Sequence, residues 1–101
     1  METEISFSAE HEKSLRHLVR HVYEGIASDL GRCHIDDFLD AFNSQVYGQG
    51  WRPFCFGDPR ITERAVKAFT EPETDGEREW AEQIVRDEIE KYADKEGMLR
   101  P

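Results

Sequence analysis

SAEHEKSLRHLVRHVYEGIASDL, residues 8–30, decides the fold. Leu15, Leu18, Val19, Val22, Ile26 and Leu30 fall at relative positions 0, 3, 4, 7, 11 and 15, the stripe of a helix rather than the alternation of a strand. Ser8 is placed to cap the first turn, and Glu10 and Glu12 put negative charge where the helix dipole favours it. Gly31 supplies the residue that most readily adopts the left-handed conformation ending a helix. The spacing predicts a helix over residues 8–30.

The same period recurs downstream. Ile35, Phe38, Leu39, Phe42 and Val46 predict a helix over 35–47, with Asp36, Asp37 and Asp40 on its outer side and Gly48 and Gly50 to stop it. Asp58-Pro59 has the chemistry of a cap followed by a first helical residue. That helix covers 58–70, turns Ile61, Ala65, Ala68 and Phe69 inward, and ends before Pro72. Thr74 and Glu77 stand at capping-box spacing and open a helix over 74–96. Its inner face is Ala81, Ile84, Val85, Ile89 and Tyr92, with Trp80 at the margin, and Gly97 caps it so that Met98 can fold back.

On the outer face of that last helix, Arg78–Glu82, Glu82–Arg86, Arg86–Glu90 and Asp87–Lys91 are expected as ion pairs one turn apart, each contributing about 0.2–0.5 kcal/mol. The segment GQGWRPFCFG, residues 48–57, has no second strand to pair with, and Pro53 lacks a ladder donor. It reads as an ordered loop held by its aromatics. The expected fold class is all-α: a compact bundle of four amphipathic helices in one domain spanning 1–101, with an aromatic-rich loop between the second and third.

Composition bounds the function. The chain has 101 residues, 38% apolar, with 22 acids against 13 Lys and Arg and a net charge of −9. An apolar run long enough to span a bilayer is missing, and Met1–Glu10 lacks the apolar core of a secretory signal, so a cytoplasmic protein without a membrane partner is expected. Two cysteines are too few for a disulfide scaffold, and a Cys33–Cys55 bridge is not expected in a reducing compartment. The acidic balance makes direct nucleic-acid binding an unfavoured function, because counterion release needs clustered cations.

Few residues are arranged for chemistry. His17 and His21 are one helical turn apart, and Cys33, His34 and Cys55 could join them around zinc, but Arg16 and Arg20 bracket the pair and no Cys-x-x-Cys supports it. No metal, cofactor or catalytic residue is therefore assigned. Neither a calcium loop nor a phosphate-cradling glycine loop is present, and the expectation is a protein without enzymatic activity.

Charge and aromatic placement are more informative. Residues 73–101 hold ten acids against five bases. Glu79, Glu82, Asp87, Glu90 and Asp94 point away from the apolar stripe and form the candidate docking face for a protein partner with a basic surface. Lys13, Arg16, His17, Arg20 and His21 share one side of the first helix, so the two charges are segregated. Tyr47, Trp51, Phe54 and Phe56 place four of the eleven aromatics in ten residues. If they do not all cap the bundle, Trp51 and Arg52 are the interface candidates.

Taken together these features predict an acidic inhibitor or adaptor that docks on a basic, nucleic-acid-binding type of surface. Small acidic helical proteins that block nucleases, immunity proteins and anti-CRISPR proteins among them, are similar in composition and architecture, without a shared motif. Two other expectations compete. One is a transcriptional regulator reading nucleic acid with Arg60, Arg64 and Lys67 of the third helix. The other is a structural subunit, a homodimer through the aromatic loop or the basic stripe.

Overall fold

The computed structural model describes residues 7–100. It contains α1 (Ala9–Leu30), α2 (Ile35–Val46), α3 (Pro59–Thr70) and α4 (Asp75–Lys95), with one 3-10 turn at Arg52–Phe54 between α2 and α3. The described residues hold no strand, only an isolated parallel bridge between Cys33 and Leu99. None of the helices is long and apolar enough to cross a membrane.

Three of the helices start on a side-chain cap, and α2 starts without one. Ser8 Oγ accepts from the backbone of His11, and His11 Nδ1 accepts from the Ser8 amide at 3.0 Å, a capping box with histidine in place of the usual glutamate. Asp58 and Thr74 cap α3 and α4 through their side chains. After α4, Gly97 adopts φ +70°, its amide bonds Asp94 O, and the Met98 amide bonds Ala93 O at 2.7 Å. That pair of bonds is a Schellman ending, and it turns the chain back onto the bundle. The Cys33 amide then bonds Met98 O and the Arg100 amide bonds Cys33 O, which straps the tail to the α1–α2 turn.

α1 packs against all three other helices. Its relation to α4 follows from three contacts. Phe7 stacks on Trp80 at 3.9 Å, Arg16 bonds Glu88 at 2.8 Å, and the Tyr23 hydroxyl donates to Glu96 at 2.8 Å. The sequence offset between partners stays nearly constant along both helices, so α1 and α4 run parallel. Their positive heads therefore lie side by side, where Glu10, Glu12, Asp75 and Glu77 compensate them. Leu15, Leu18, Val19, Phe38, Phe42 and Ile89 fill the centre, each contributing about 1.5–3 kcal/mol by leaving water.

Four expectations need correction. α3 buries Thr62 and Val66 where Ile61 was expected inside. Thr62 is tolerated there because its hydroxyl donates to Asp58 O and accepts from the Cys55 thiol. Leu30, assigned to the inner stripe, is exposed at the end of α1, while Tyr23 is buried in its place. None of the four ion pairs expected along α4 forms. Arg86 instead reaches Asp36 of α2 at 3.6 Å, and Asp87 meets Arg16 of α1 at 3.9 Å. Bonds between helices win because they tie separate elements, whereas pairs along one exposed face add only tenths of a kcal/mol.

Trp51 is the fourth. It is 1% exposed and belongs to the core, so it does not face a partner. Gly50 makes this entry possible: a Cβ there would collide with the Gln45 carbonyl, so only glycine lets the chain fold in so tightly after α2. Arg52 lies over the indole with its guanidinium 5.0 Å from the ring centroid, and its Nε donates to Gln49. The Trp51 indole N–H meets no protein acceptor.

Candidate functional site

The outer face of α4 is built by the helical period. Glu79, Glu82, Arg86, Glu90 and Asp94 occupy one arc, while Ala81, Ile84, Val85, Ile89 and Ala93 take the opposite, buried one. Glu79, Asp87 and Asp94 are exposed, and Glu82 and Glu90 are half-buried. Among the described residues, Glu79, Glu82, Glu90 and Asp94 pair with no cation. Asp87 has the long contact to Arg16 and accepts from Gln83 at 3.1 Å. Arg86, the cation at the centre of this arc, is drawn sideways to Asp36, which leaves the carboxylates around it without a partner.

Toward α2 the surface carries both signs, with Asp36 matched by Arg86 and Asp40 in no ion pair among the described residues. A groove of about 330 Å³ between the helices is lined by Asp36, Asp40, Asn43, Thr70, Arg78 and Glu82, among others. Sequence reading treated the α2 aspartates only as a solvated side. Their membership of this surface depends on how α2 is rotated against α4, which no local pattern encodes.

Two further carboxylates of α4 behave differently. Glu77 and Glu88 are 8% and 5% exposed, on the inner face. Arg64 of α3 bonds Glu77 at 2.8 Å, and the Glu73 amide donates to it at 3.3 Å. The hydrogen bond from Arg64 holds the Glu77 carboxyl below its ordinary range, against burial, which pushes it up. Arg64 also lies 4.6 Å from the centroid of the Phe7 ring, itself stacked on Trp80. Glu88 is bonded by Arg16, which bonds Glu12 as well. These are structural clamps between helices, and the sequence reading did not identify them. The signal was present: residues 77, 81, 84 and 88 recur at helical spacing.

The basic stripe of α1 is only partly used. Arg16 is committed to carboxylates, while Lys13 and Arg20 pair with none among the described residues. A groove of about 450 Å³ runs past Lys13, Arg16, His17, Arg20, Glu88 and Tyr92, and Arg20 stands 5.7 Å from the Tyr92 ring centroid. His17 and His21 approach each other through their Nε2 atoms at 3.2 Å. The His17 ring stacks on Phe56 at 4.1 Å. Burial, then the positive charge of His21, Arg20 and Lys13, lowers the His17 pKa from its ordinary value.

The remaining candidates are separated. Cys33 and His34 lie in the α1–α2 turn, and Cys33 is a free thiol whose pKa burial pushes up. Cys55, also free, lines the same hollow as His17 and His21. Among the described residues, His, Cys, Asp and Glu form no group of three able to hold a metal. On α3, each cation proposed as a nucleic-acid reader is engaged: Arg60 with Asp58, Arg64 with Glu77 and Lys67 with Glu63. In the loop, Tyr47 and Phe56 are the exposed aromatics, at 58% and 57%. Comparison of the chain with protein-family models, curated proteins and solved structures returns no match, so the geometry of these faces is the ground for a functional reading.

Proposed function

We propose that the chain is a non-enzymatic binding module that docks the outer face of α4, extended by Asp40 of α2, onto a basic surface of a protein partner. A surface of the kind that holds nucleic acid is the best match, which would make the chain an inhibitor or adaptor. One observation carries this reading: Glu79, Glu82, Glu90 and Asp94 share a helix face and are without an internal cation among the described residues. A face with an excess of one sign steers encounter with the opposite sign and discriminates between partners. The commitment of Arg64 to the buried Glu77 carboxylate weighs against direct nucleic-acid reading through α3.

The test is capture from native cells on the immobilised chain, compared with capture on Glu82→Lys/Glu90→Lys. The expected result is a basic protein held by the wild type and lost from the variant. With that protein purified, association should slow by tenfold or more in the variant, and its salt dependence should flatten. A partner bound equally by both chains, or tight binding of duplex DNA at low salt, would overturn the reading.

A further inference from the structure

We propose that His17 and His21 form a two-nitrogen chelate for a borderline divalent transition-metal ion, with Cu²⁺, Ni²⁺ and Zn²⁺ as the class. This site is independent of the acidic face and stands whatever docks there. The two rings project from consecutive turns of α1, with Nε2 atoms 3.2 Å apart. Imidazole nitrogens bound about 2.0–2.1 Å from one ion stand about 2.9 Å apart at a right angle and about 3.4 Å apart at a tetrahedral one. The observed separation falls between these limits, so both nitrogens reach one ion once the rings turn their lone pairs from each other toward it.

The surroundings favour the same use. The His17 ring is held by its stack on Phe56, at a 28° interplanar angle, which removes rotational freedom before binding. A hollow of about 280 Å³, lined by both histidines with Pro53, Phe54, Cys55 and Phe56, leaves space in front of the pair for the remaining ligands. The Cys55 thiol donates to Thr62 Oγ1 at 3.6 Å, and no third protein ligand gathers among the described residues. Water therefore completes the coordination. Without metal, one ring donates its Nε2–H to the other; an ion replaces that bond, and the donating ring moves its proton to Nδ1. Lys13 and Arg20 oppose a cation, but the charge of Arg16 is already matched by Glu12 and Glu88. Nitrogen donors select Cu²⁺ and Ni²⁺ over Mg²⁺, which prefers oxygen.

The experiment is a calorimetric titration of the tag-free chain with NiCl₂, paired with thermal melts. One Ni²⁺ per chain is expected, with a rise in Tm of roughly 6–10 °C at tenfold excess over Kd and none with Mg²⁺. His17→Ala and His21→Ala should each weaken binding at least tenfold. His21 is exposed, so its variant folds even if the loss of the Phe56 stack disturbs the other. Cys55→Ser should bind as the wild type does. Failure of the wild type to bind, equal affinity in His21→Ala, or loss of binding in Cys55→Ser would each overturn the assignment.

Discussion

The two sides of α4 carry the same carboxylates under opposite conditions. Glu77 and Glu88 lie inside, each held by an arginine from another helix, whereas Glu79, Glu82 and Glu90 lie on the outer arc with no cation to meet them among the described residues. The loop before α3 divides its aromatics in the same way, with Trp51 in the core and Phe56 outside on His17. In both regions residue type says little about role. A glutamate is a clamp where an arginine of another helix reaches it on the inner face, and stays without a cation among the described residues on the outer one.

Substitutions can break this division, and the largest effect belongs to the loop. Trp51→Ala should lose about 3–5 kcal/mol in chemical denaturation, whereas Phe56→Ala should lose less than about 1 kcal/mol. Similar losses at both positions would erase the contrast between inner and outer aromatics. Next comes Glu88→Ala, expected to cost about 2–3 kcal/mol. Its cost stays below that of a fully enclosed pair because Arg16 keeps contact with water and Glu12.

Glu77→Gln sharpens the comparison through pH. The Glu77 carboxyl titrates lower in the folded chain than in the unfolded one. Its stabilisation is therefore full above the unfolded value of about 4.3 and is lost as pH falls through the folded value. The variant should lose about 1 kcal/mol at neutral pH and show a flatter decline of stability below about pH 4.3. A stability–pH curve parallel to the wild type would mean that Arg64 does not hold this group. The smallest effect is expected outside: Glu79→Gln, Glu82→Gln and Glu90→Gln should each change stability by less than about 0.5 kcal/mol.

Much of the fold was legible because α1, α3 and α4 announce themselves twice, by period and by cap, and α2 by period alone. Ser8, Asp58 and Thr74 cap as their chemistry requires, and Gly97 closes α4 with Met98 folded back. The candidate site was less legible. The outer carboxylates could be placed on one face, but that Glu82 and Glu90 lack a partner among the described residues depends on Arg86 turning to Asp36, a contact across helices. Glu77 and Glu88 were missed because charged residues are assigned to solvent by default. Trp51 stayed open between a cap and an interface residue because aromatic content cannot tell a lid from an anchor, and the tight turn at Gly50 that directs it inward is a matter of backbone path.

The shared direction of α1 and α4 has a mechanical consequence. Phe7 lies beside the head of α4, while Arg100 is strapped near the foot of α1, so a load applied through these residues pulls the two helices past each other along their length. Such a shearing load strains the Phe7–Trp80, Arg16–Glu88 and Tyr23–Glu96 contacts together, where an antiparallel pair would peel open one contact at a time. In an optical trap, rupture should therefore come as a single step, with its force set by the whole α1–α4 seam.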